Sequence, residues 1–309
     1  MARYRESGNP RGLGHSLGSL AVALGELGRA AEADAALAES IAVLRRLNDH
    51  SSLANALGNR GFVEVERGRL AEAEATAGDM ERAAGAEGAK LGLANAHDVR
   101  ALAAAARGDL ESARRHFAAA RQIHVDNGDL DEAAETDVAH AVAEQAAGNP
   151  TVAWRLLDEG LQRLPGGGTE MTAAFYAEML RARIDAEAGR LAAARRRLEA
   201  RAGSERSPSV RWRLAFLRAR AGLAMAESRF AAARPDLELA SGLAEGAGRT
   251  LDALALRLDL AELAADAGDR PAAVTALEVA APQAATLQLE ALNRRAAALA
   301  QRLRVGSCR

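Results

Sequence analysis

The chain has 309 residues, 40 Lys+Arg against 42 Asp+Glu, and 49% apolar, 27% charged and only 3% aromatic residues; 79 of the residues are alanine. This is a globular mix, and abundant alanine with few aromatics predicts an all-α protein with close helix packing. The single cysteine, Cys308, excludes an intramolecular disulfide and a cysteine-based zinc cluster, no apolar run reaches the ~18 residues of a membrane span, the polar, charged stretch from Met1 to Gly12 does not read as a signal peptide, and the near-neutral charge gives no general case for nucleic acid.

Taken in chain order, residues 1–8 read as the remnant of a preceding helix or as a frayed cap. Gly8 stands 20 residues before Gly28, in the register of a connector, and Ala2 to Ser7 then close a helix whose beginning is missing. On this reading the chain opens in mid-repeat, as the C-terminal arm of a longer polypeptide would.

Residues 9–288 form seven repeats. Turn residues recur at Gly28, Gly68, Gly108, Gly148, Gly189, Ser228 and Gly268, at steps of 39 to 41. Five residues after each turn stands alanine every time: Ala33, Ala73, Ala113, Ala153, Ala194, Ala233 and Ala273. Seven before it stand Ala21, Gly61, Ala101, Ala141, Ala182, Ala221 and Ala261. Nine after it come Leu37, Ala77, Phe117, Leu157, Leu198, Leu237 and Leu277. Each unit closes on Asn48, Gly88, Gly128, Gly168, Pro208 or Gly248, residues that favour a left-handed helix cap or forbid continuation. Every unit therefore reads as helix A, tight turn, helix B and stop; in the second unit the helices run about Ser52 to Arg67 and Ala71 to Ala86. One such pair cannot bury its apolar face, so the units must stack. After Pro282, residues 289–304 form a capping helix with Leu292, Leu299 and Leu303 on one face and Asn293, Arg294, Arg295, Gln301 and Arg302 on the other. Residues 305–309 read as tail.

The small-residue, turn and alanine columns followed by a bulky apolar position resemble the tetratricopeptide repeat over residues 9 to 288. The period of 40 exceeds the usual ~34, and the large residue usual four positions before the turn is replaced by Leu24, Glu64, Ala104, Glu144, Asp185, Ala224 and Ala264. Forty-residue units with connectors such as Asn127-Gly128-Asp129 are similar to kinesin light chain repeats. They are closer still to the C-terminal arms of bacterial signal-transduction ATPases and LuxR-type regulators. HEAT repeats share the period without the fixed glycine-to-alanine spacing. The resemblance implies a right-handed α-solenoid, and the single cysteine fits a reducing, cytoplasmic setting.

Signals for catalysis are poor. No Walker-type or Gly-x-Ser-x-Gly motif occurs, and Gly166-Gly167-Gly168 after Pro165 reads as a flexible connector. His97, Asp137 and His140 occupy related positions on neighbouring helices A, but no local metal-binding pattern supports them. No catalytic residue, metal or cofactor is expected. A basic column eight before the turn, Arg60, Arg100, His140, Arg181 and Arg220, is followed four residues later by Glu64, Glu144 and Asp185 in the same helices. This reads as a ladder of i, i+4 ion pairs rather than a basic strip.

In the resembled arrays helix A lines the concave groove. That face maps here to Asn55, Asn59, Phe62, Asn95, Asp98, Leu102, Glu135, Tyr176, Met179 and Arg183. A carboxamide both donates and accepts, so Asn55 and Asn95 in one column suit an extended peptide backbone. The expected function is non-enzymatic binding of a protein or peptide, by a sensing arm of a larger bacterial regulator or, alternatively, by a free-standing adaptor. An effector domain or partner subunit is expected at the open N-terminal end.

Overall fold

The computed structural model describes residues 9–87, 89–164 and 172–305. Among them stand fifteen α-helices, one 3-10 turn at Ser204–Arg206 and no strand. The helices pair as the columns predict: α1 (Pro10–Glu26) with α2 (Ala30–Arg46), α3 (His50–Glu66) with α4 (Leu70–Glu87), and α5 (Lys90–Ala106) with α6 (Leu110–Asn127). Next come α7 (Leu130–Ala146) with α8 (Pro150–Arg163), α9 (Thr172–Glu187) with α10 (Leu191–Glu199), α11 (Val210–Ala226) with α12 (Phe230–Gly246), and α13 (Thr250–Asp266) with α14 (Arg270–Thr286). The last helix, α15 (Glu290–Val305), packs on α14 and α13. The chain is an all-α repeat solenoid, with seven helix pairs and a closing helix among the described residues.

The turn between paired helices repeats at the level of single hydrogen bonds. All seven turn residues lie in the left-handed region, Ser228 included at φ 57°. Behind each, the following amide reaches back to the carbonyl four residues before the turn, as from Arg69 to Glu64 at 2.8 Å and from Asn149 to Glu144 at 2.9 Å. This Schellman arrangement satisfies carbonyls the helix end would otherwise leave open. Asp49, Asp109 and Asp269 cap the next helix by accepting from amides three residues on. At the unit ends Asn48, Gly128 and Gly248 are also left-handed, and so is Gln288. Gly88, Gly166 to Gly168, residues 1–8 and Cys308 lie outside the described residues. The fifth unit departs from the pattern: α10 ends at Glu199, and Gly203 at φ 94° starts a 3-10 connection well ahead of Pro208.

All three small or apolar columns are buried, as the sequence predicts, from Ala33, Ala73 and Ala113 through Leu277. Odd-numbered helices form the inner layer, since neighbours such as α3 and α5, or α9 and α11, touch directly. Small residues set that contact. A Cβ at Gly92 would stand 2.7 Å from that of Ala54, and one at Gly61 2.8 Å from Val99 Cγ2. Crowding the inner helices while bulkier even-numbered helices wedge between them bends the array tightly.

The bend is tight enough for the array to meet itself. The end of α1 faces the start of α11, where Glu26 accepts from Ser209 and lies 3.6 Å from Arg211. The end of α3 meets the start of α13, with Arg249 2.8 Å from Glu66. Arg294 of α15 donates to the Gly108 carbonyl at 3.2 Å. The first three units thus contact the sixth unit, the seventh unit and the closing helix in turn, and one hydrophobic core runs from Leu17 to Ala103 and on through Leu254, Leu258, Leu289 and Leu299.

Candidate ligand-binding face

The inner helices present one face to the solenoid interior, and the ten residues predicted for it divide into three groups. Asn55 is exposed, and Asn59 and Asn95 are half-buried. Asn95 lies over Gly58, whose Cβ would stand 3.6 Å from its amide nitrogen. None of the three carboxamides is hydrogen-bonded among the described residues. Phe62 and Leu102 are half-buried and pack against the core that joins the first and last units. Two predicted residues are not available to a ligand. Met179 is 1% exposed within the α9–α11 core. Asp98 is buried, 3.2 Å from His124 and accepting from the Thr136 hydroxyl at 3.0 Å. Both stand ten residues before a turn, where adjacent inner helices pack on one another, so that register faces protein instead of the groove.

Glu135, Tyr176 and Arg183 lie among charges drawn from distant units. Tyr176 has the Arg211 guanidinium over its ring at 5.4 Å and feels Glu26, Glu135 and Arg249; loss of water raises its pKa. Glu135 is accessible yet walled by protein, and this desolvation, with Glu132 beside it, pushes its pKa up. Further along, Arg218 grips Asp259 at 2.5 and 3.1 Å. Arg295 bonds Asp259 and reaches Glu262 at 2.7 Å. Two guanidinium groups hold Asp259 far below the usual carboxylate range despite its burial. Arg183 differs. It makes no hydrogen bond or ion pair among the described residues, and burial followed by the repulsion of Arg218 lowers its pKa to about 10.

The basic column is neutralised, though not as an i, i+4 ladder throughout. Arg60 pairs with Glu64 at 2.7 Å and His140 lies 3.3 Å from Glu144. Arg100 goes to Glu74 and Glu81, Arg181 to Asp158 and Glu178, and Arg220 to Asp236. Asp185 is taken instead by Arg190 and Arg197. The spacing predicts only i, i+4 pairing for the acids four before the turn, whereas Glu64, Glu144 and Asp185 are buried between helices at 0 to 1% exposure. Their place in a column otherwise filled by leucine and alanine was the available signal. His97, Asp137 and His140 do not share a site: His97 meets His116 at 2.9 Å, Asp137 is held by Arg163 and Arg121, and His140 stacks on Phe117.

No family model matches the chain, and a search of curated proteins finds no match. No helix among the described residues is long and apolar enough to cross a membrane.

Proposed function

We propose that this chain is a non-enzymatic binding module of the tetratricopeptide kind. Its inner face holds an extended protein or peptide segment, and it serves as the interaction or sensing arm of a regulatory protein. The observation that carries this reading is the contrast along that face. Most charges there are consumed in ion pairs, while Asn55, Asn59 and Asn95 on adjacent inner helices keep their donors and acceptors free. Side-by-side free carboxamides on a rigid scaffold are suited to bonding a backbone in a sequence-tolerant way. The 40-residue period and the fixed turn-to-alanine spacing support the arm-like role through their resemblance to bacterial regulators.

A random peptide array probed with the purified chain tests this. Peptides retained by the chain should lose at least about tenfold in affinity, about 1.4 kcal/mol, on Asn55→Ala with Asn95→Ala. An array without retained peptides, or retention indifferent to the double change, overturns the reading.

A further inference from the structure

We infer that Arg183 is an oxyanion receptor inside the solenoid, built to take one carboxylate of a bound ligand. The inference rests on the inner face being a ligand face, and it names the chemistry that face selects.

The argument is one of charge and partners. Three guanidinium groups, from Arg183, Arg218 and Arg295, lie within electrostatic reach of one another in the interior between α9 and α15. Three interior carboxylates lie among them. Asp259 is shared by Arg218 and Arg295, Glu262 is held by Arg295, and Asp252 is held by Arg249. Arg183 lies within electrostatic reach of Asp259 but bonds none of the three. Glu187, one helical turn further along α9, is exposed and accepts from the Gln145 amide instead, so water screens it. The arginine stem rests beside Gly222, whose Cβ would stand 3.9 Å from Arg183 Cγ with no other atom within 4 Å. The next inner helix thus leaves open space beside the stem. A half-buried cation with no directly bonded counter-charge is costly, and burial is the largest cause of its depressed pKa. A carboxylate offers two oxygens to the planar fork of the guanidinium, the direct partner that Arg183 lacks among the described residues.

Fluorescence anisotropy on the full chain tests this with fluorescein-labelled hexaglutamate, labelled hexaglutamine and unlabelled succinate. Hexaglutamate should bind and hexaglutamine should not. Arg183→Gln should weaken hexaglutamate by at least about tenfold. Arg196→Gln, at an exposed arginine of the outer helix α10, should change it less than about twofold. Displacement by succinate assigns the site to free carboxylic acids, and failure to displace assigns it to acidic side chains of a peptide. Equal binding of the two hexapeptides, or equal losses in the two variants, overturns the inference. The Tm of Arg183→Gln should equal or exceed that of the parent, because a half-buried cation with no bonded counter-charge is removed; a fall of more than about 4 °C makes the arginine a structural group and overturns it as well. Should Arg183→Gln keep every hexaglutamate contact while the Asn55/Asn95 variant still loses its selected peptides, the carboxylate receptor fails and the peptide reading stands.

Discussion

Glu144 shows how a single side chain can belong to two units. Its carboxylate accepts from Arg114 of the preceding pair at 2.6 and 2.9 Å and from the Asn149 amide at 2.9 Å. These bonds favour the ionised form, with Arg114 the largest contributor, and hold its pKa below the usual value of 4.5 although the side chain is buried. A lowered carboxylate pKa contributes stability that is present above 4.5 and is lost as pH falls through the folded value. Glu144→Gln should therefore cost about 1.5 to 3 kcal/mol near neutral pH. Urea denaturation should show that difference shrinking as pH drops below about 4. A deficit independent of pH would mean packing, not charge, holds the residue there. The four-residue spacing from His140 to Glu144 was legible in the sequence; the link from Arg114, 30 positions away, was not, because it depends on how consecutive units stack. The same limit explains Asp98 and Met179, which stand where adjacent inner helices touch, a contact that depends on how the units stack.

At the scale of the element, helical glycines do two different things. Gly92 has negative φ and stands where a Cβ would meet Ala54 at 2.7 Å and Ala84 at 3.0 Å. Both neighbours are short and rigid. Gly92→Ala should overpack this contact and destabilise by about 1 to 3 kcal/mol. Gly85, late in α4, has nothing within 4 Å of its would-be Cβ, and Gly85→Ala should stabilise by about 0.5 to 1 kcal/mol through helix propensity alone. Thermal denaturation of the two variants checks both signs; equal shifts in one direction would mean that inner-helix spacing is not set by Gly92. Ala113, fully buried five after its turn, belongs with Gly92, and Ala113→Leu should cost about 1 to 3 kcal/mol for the same reason.

For the whole molecule, closure changes what kind of solenoid this is. In an open array each unit touches only its neighbours, so damage stays local. Here Leu258 of α13 is 1% exposed in a core shared with Leu53 and Leu57 of α3. Leu258→Ala should cost about 2 to 5 kcal/mol. Hydrogen exchange should then show weakened protection in α3 as well as in α13. Protection lost from α13 alone would mean that the two ends are energetically independent despite their contact.

The sequence by itself determined the helices, their pairing, the turn geometry and the buried columns. Each of these depends on residues within about one repeat of one another, and a 40-residue period writes them out seven times. The tertiary structure alone decided that the sixth unit onward returns to the first, and with it which charges meet. Glu26 with Arg211 and Glu66 with Arg249 become partners only after small rotations accumulate over five units, each set by sub-ångström differences in how glycine, alanine and valine pack between inner helices. The same accumulation leaves Arg183 near other arginines in the interior with no bonded counter-charge among the described residues, a position that no spacing along the chain displays.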